Sequence, residues 1–171
     1  FIGDISKSIT TYAEDGRTFL NATSDTFDLI YTDAYTGSFS VPWHLATQEA
    51  VTHLKRVLSD EGVLIINVAS ALEGEKAKFF RAFWKTLSGV FPEAVVFATA
   101  TDVPETPQNI IVVATKNPFL SGVFEPFEAS RWHKNIATDD VPLLTDDYAP
   151  TDELAESLIL ASYAGLRWYW E

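Results

Sequence analysis

Two continuous apolar runs of strand length, Phe27 to Thr32 and Val63 to Ala69, are each followed by a stretch in which apolar residues return every three or four positions. Side chains alternate with a period of two along a strand and 3.6 along a helix, so one pattern cannot be refolded as the other. This change of period constrains the fold more than any other feature. After the first run, Ala50, Val51, Leu54, Val57 and Leu58 recur at helical spacing, with Thr47 placed as an N-cap and Ser59-Asp60-Glu61-Gly62 as the stop. After the second, Ala77, Phe80, Phe83, Trp84 and Leu87 mark a helix over 75–91, closed by Pro92.

The flanks extend this series. Ser8 to Tyr12 reads as a short strand ending at Glu14-Asp15-Gly16, and Arg17 to Asn21 as one helical turn. Val95 to Thr99 and Ile110 to Thr115 are further strands, joined by the proline-bearing loop 101–109. The runs at 27–32 and 63–69 have the unbroken apolar character of strands covered on both faces. The order predicts an α/β fold with an open, mostly parallel sheet whose last two strands form an antiparallel edge pair. Past Pro118 the pattern weakens through Pro126, Pro142 and Pro150, and then Thr151 caps a final helix through Leu154, Leu158 and Ala161. The tail Trp168-Tyr169-Trp170 is expected to pack on the core or on a neighbour.

With 171 residues, 47% of them hydrophobic, the chain has the size and core of one globular domain. Its formal net charge of -12 repels phosphate backbones and anionic headgroups, so neither nucleic acid nor a membrane is an expected partner. A cationic small molecule suits such a field. The absence of cysteine excludes disulfides, thiolate catalysis and thiolate-bound zinc. His44 and His53 are too far apart to share a helix face as ligands, and no metal is expected. No apolar run approaches the roughly 20 residues of a membrane helix. The opening residues FIGDISKSIT lack the pattern of a secretion signal, which leaves the cytoplasm as the default compartment. There is no methionine, even at position 1, so the chain reads as part of a longer protein.

In open α/β sheets ligands bind beyond the carboxyl ends of the strands. Asp15 follows the first predicted strand and Asp33 the second, so parallel strands would turn both carboxylates toward one crevice. Asp28 enters the second strand from the opposite end and is expected to cap or solvate it. Aspartate also bonds its own backbone in turns. Spacing leaves the catalytic and the turn readings of Asp15 and Asp33 both open. A nucleophile elbow, a phosphate-binding loop and a dinucleotide fingerprint are missing from the sequence.

The segments EDGRTFL (14–20), FDLIYTDAYTG (27–37), VPWHLATQEA (41–50), LSDEGVLIINV (58–68) and LLTDDYAP (143–150) together resemble the spermidine synthase family of polyamine aminopropyltransferases, in its bacterial spermidine synthase-like branch. The resemblance implies the Rossmann-like sheet of S-adenosylmethionine-dependent methyltransferases. Residues 1–118 would form the C-terminal half of an adenosyl-cofactor domain, and 119–171 an irregular segment and helix packed on it. It implies aminopropyl transfer from decarboxylated S-adenosylmethionine to a small-molecule amine. Asp33 would be the catalytic carboxylate, Asp15 would take the adenine amine beside Gly16, and Ala34 and Tyr35 would line the adenosyl side.

Several family features differ. Thr36 stands where the family usually has a second acid, Glu73 and Glu75 lie near the position of a helix-start acid with Lys78 close to the expected spot, and 103–107 holds no tyrosine. Methyl transfer from S-adenosylmethionine and a non-catalytic domain of the same fold are the alternatives. The family's glycine-rich loop would precede residue 1. This chain then carries half of a cofactor site, whose exposed edges a missing segment or a second copy, as in a homodimer, would cover.

Overall fold

A computed structural model of the chain describes residues 9–34, 41–117, 130–132 and 135–166. Among these, four strands form one sheet in the order β1-β2-β4-β3: β1 is Phe27–Thr32, β2 Leu58–Ser70, β3 Val95–Ala98 and β4 Gln108–Thr115. β1 pairs parallel with β2, whereas β4 pairs antiparallel with both β2 and β3. Thus β1, β2 and β3 run one way and β4 alone is reversed. The α/β class, the common strand direction and the antiparallel edge pair all agree with the sequence pattern.

The helices α1 (Gly16–Ala22), α2 (Gln48–Val57), α3 (Lys78–Val90) and α4 (Thr151–Leu166) complete the described elements, with short 3-10 turns at Trp43–Leu45 and Glu75–Ala77. Thr47 caps α2 as expected, its side chain accepting from the Ala50 amide. The helical stripes of α2 and α3 bury Val51, Leu54, Phe79, Phe80, Phe83 and Leu87 against Leu64, Ile66 and Val68, which alternate along one face of β2. Period 3.6 has met period 2. Full burial of each such side chain is worth about 1.5–3 kcal/mol, and this seam is the centre of the core.

Three local expectations change. β1 is not covered on both faces, since Leu29 and Tyr31 are 61% and 58% exposed. It is the edge strand of the described sheet, and its alternate residue Ile30 is the one packed on the core. The helix α2 does end before Ser59, at Val57, but β2 starts at Leu58 rather than at Val63, and Ser59 to Gly62 form an irregularity in the β1–β2 register between the Phe27–Leu58 and Leu29–Val63 pairs. Finally, residues 9–12 form no strand, and none of the described strands pairs with them.

The segment leading into α4 is stitched across α2 and α3. Gln48 N donates to Leu144 O at 2.8 Å, Leu144 N to the buried Thr86 hydroxyl at 2.9 Å, and Lys85 Nζ to Val141 O at 2.8 Å. Leu144, Ala155 and Leu158 are buried. No helix among the described residues is long and apolar enough to cross a membrane. The sequence expectations for Tyr35, for 118–129 and for the tail 168–170 fall outside the described residues.

Candidate functional site

Asp33 is the first residue beyond β1, and the parallel register sets its surroundings. Thr32 pairs with Ile66, so Asp33 and Asn67 follow side by side on adjacent strands. The Asn67 amide Nδ2 donates to Asp33 Oδ1 at 2.9 Å, and the Tyr31 hydroxyl, two residues back on the same strand face, donates to Asp33 Oδ2 at 3.2 Å. Each carboxylate oxygen therefore has its own donor. Partial desolvation of the phenol, together with the bond to Asp33, raises Tyr31 above its ordinary value of 10, so it keeps its proton at neutral pH.

A groove of about 460 Å³ runs along β1, the edge strand among the described residues, with Asp33, Ala34 and Gly16 in its wall beside Phe19, Tyr31 and Leu45. Ala34 also lines a smaller inner cavity of about 50 Å³ that reaches Asn67 and Phe83. Three of the sequence-derived candidates, Gly16, Asp33 and Ala34, share this groove, while Asp15 is not among its lining residues.

Asp15 is instead the N-cap of α1. Its Oδ1 accepts from the amides of Arg17 at 2.9 Å and Thr18 at 3.1 Å, and its Oδ2 lies 2.9 Å from His44 Nε2. Those backbone bonds, led by Thr18, and the His44 side chain hold the carboxyl below its ordinary 3.8. The turn role that the sequence allowed is realised here, and a carboxylate's remaining lone pairs are what a further donor could use.

Behind Asp15, Arg17 gathers a polar knot. Its Nη1 donates to His44 O at 3.0 Å and to the Thr47 hydroxyl at 3.1 Å, and its Nη2 meets Asp146 Oδ2 at 2.6 Å. Thr47 in turn donates to Asp146 Oδ1 at 2.6 Å, and Asp146 N donates to Glu49 Oε2 at 3.0 Å. Three sequence segments meet at this point: Arg17 lies 27 residues from His44 and 129 from Asp146. No group of three or more side chains able to hold a metal ion occurs among the described residues.

Residues 5–121 match the family described as the spermine/spermidine synthase domain. The chain belongs to that family. As a spermine/spermidine synthase domain it is 31% identical over 98 residues to a probable polyamine aminopropyl transferase of Bifidobacterium longum, covering 57% of this chain and 21% of that protein. Its fold is similar to a spermidine synthase solved with the transition-state analogue AdoDATO, at TM-score 0.53 and 17% identity over 88% of this chain and 49% of the other. It is also similar to human methyltransferase-like protein 13 solved with SAH, at TM-score 0.51 and 18% identity over 86% and 72%. These likenesses show a methyltransferase-like fold. The chain spans about a fifth of the length of the curated transferase and about half of the spermidine synthase.

Sequence reasoning missed Asn67 and His44. Asn67 left a signal, as the one amide in the apolar run Val63 to Ala69. His44 left none, because its partner lies 29 residues away across a turn that no periodicity describes.

Proposed function

We propose that this domain carries the acceptor half of an aminopropyltransferase site, in which Asp33 receives an amine and Gly16, Ala34 and Tyr35 border the adenosyl group of decarboxylated S-adenosylmethionine. The observation that carries this reading is the Asp33 carboxylate at a strand end, held by a donor on each oxygen and set in the wall of an open groove. In the reaction the amine nitrogen forms a bond to the carbon beside the sulfonium. The C–S bond breaks, its electron pair stays on sulfur, and methylthioadenosine leaves. The incoming ammonium must first lose a proton, for which a fixed carboxylate is a suitable acceptor and aiming group. The net charge of -12 favours approach of a cationic amine.

Asp15 fits an adenine amine only if the amine shares Oδ2 with His44 or displaces it, since Oδ1 already serves two backbone donors. The family membership and the solved relative with AdoDATO support an adenosyl donor. Methyl transfer is the second reading, favoured by Thr36 in place of a second acid and by the methyltransferase-like relative with SAH.

The test is incubation of the purified protein with decarboxylated S-adenosylmethionine and a diamine, and separately with S-adenosylmethionine. Methylthioadenosine is the expected product, and it should vanish in Asp33→Asn while the unfolding midpoint is kept. S-adenosylhomocysteine would move the assignment to methyl transfer. No product and no thermal shift with any adenosyl ligand would leave a non-catalytic domain.

A further inference from the structure

We infer that Asn67 is a positioning residue for this site: from the neighbouring strand it fixes the rotation of the Asp33 carboxylate, with Tyr31 holding the opposite oxygen. The inference rests on the reading of Asp33 as the group that receives the amine.

Strand geometry supplies the first argument. In a parallel pair, register partners present their side chains on the same face, and the pairs Tyr31–Ile65 and Thr32–Ile66 carry the register forward to Asp33 and Asn67. Tyr31 lies on that face because successive residues of a strand alternate. A carboxylate at the end of a strand can turn about its terminal torsion, which is broad and roughly two-fold. Donors on both oxygens, at 2.9 Å from Asn67 and 3.2 Å from Tyr31, remove that freedom. Among the described residues these are the donors to the carboxylate, and the remaining direction on each oxygen is fixed relative to the β1–β2 backbone.

Sequence supplies the second. β2 is apolar from Val63 to Ala69 apart from this amide, and Asn has poor strand propensity. A leucine or valine would extend the apolar run and suit the strand better. The amide stands beside the one carboxylate at the end of the adjacent strand. Tyr31 is the softer holder, because its ring is more than half exposed and its bond is the longer of the two. Most of the orientation then falls to Asn67.

Two experiments decide it. In 15N-labelled protein the side-chain amide signals of Asn67 should be displaced in Asp33→Ala relative to the parent protein, while those of Asn117 stay in place. An amide signal indifferent to Asp33 overturns the inference regardless of any activity. In turnover assays, Asn67→Leu should lower kcat about 10- to 100-fold, with KM for the adenosyl donor unchanged, the penalty expected for a misaimed group. Asn67→Ser serves the same purpose if the leucine variant fails to fold. In the Asp33→Asn background either substitution should cost nothing further, because the group it orients is gone.

Full activity in folded Asn67→Leu, alongside a dead Asp33→Asn, would also overturn the inference. If Asp33→Asn itself keeps wild-type turnover, the functional reading of Asp33 fails with the catalytic part of this one. The amide comparison would still decide whether Asn67 holds the carboxylate.

Discussion

Asp15 is an acid whose bonds are local and whose titration should be visible. Its ionised form accepts the Thr18 and Arg17 amides and faces His44, so its pKa in the folded chain lies below 3.8. A depressed carboxylate contributes stability that is present above its unfolded value and lost as pH falls through the folded one. Exchange protection of the Thr18 amide should therefore persist on acidification through pH 3.8 and fall away below it, read by hydrogen exchange and NMR. Asp15→Ala should show low protection at every pH, and His44→Ala should bring the loss to higher pH; a His44→Ala profile that overlays the parent would show that the histidine does not support the cap. Asp33 was legible as a strand-end acid because the apolar run before it defines the strand end. Its holder was not, since Asn67 becomes its neighbour only through a register that sequence periodicity does not give.

At the scale of elements, α2 and α3 could be read from the sequence because each buries a stripe of its own residues, and β2 because its run is long. β1 was misjudged for the opposite reason. The burial of a strand depends on what lies beside it, and with Leu29 and Tyr31 exposed on an edge, an apolar composition did not mean coverage. Ser59-Asp60-Glu61-Gly62 misled because the residues that favour turns also serve strand irregularities. Asp28 answers part of that irregularity by accepting from the Ser59 hydroxyl at 2.7 Å. Gly62 has a steric role in it: a Cβ there would stand 2.8 Å from the Leu58 side chain and 3.0 Å from the Phe27 carbonyl oxygen. Leu58 is fully buried and has little room to withdraw. Gly62→Ala should thus destabilise by about 1–3 kcal/mol, the usual cost of overpacking, measured as a lower urea midpoint with unchanged slope. Gly89→Ala is the control, because nothing lies within 4 Å of its added carbon, and an alanine in the last turn of α3 should be neutral or stabilising.

Over the whole molecule, the Arg17 knot joins regions that the chain order keeps apart. α1, the entry to α2 and the segment around Asp146 all send a group to one guanidinium, whose side chain is 12% exposed. The planar fork explains the choice of arginine, since a lysine could not serve a carbonyl, a hydroxyl and a carboxylate in fixed directions at once. Asp146 is 44% exposed, so its charge is partly screened by water and the ion pair itself should contribute little. The half-buried bonds to the His44 carbonyl and Thr47 carry more of the effect. A double-mutant cycle of Arg17→Ala with Asp146→Ala should accordingly give a coupling of about 0.5–1 kcal/mol, smaller than the loss in Arg17→Ala alone, which should reach roughly 1–3 kcal/mol through unsatisfied polar groups. Salt separates the two contributions: 0.5 M NaCl should reduce the coupling, since it screens exposed charge, and leave most of the Arg17→Ala loss in place. A single-variant loss that disappears with salt would mean that surface charge, rather than the hydrogen-bonded knot, ties the C-terminal segment to the turn at Gly16.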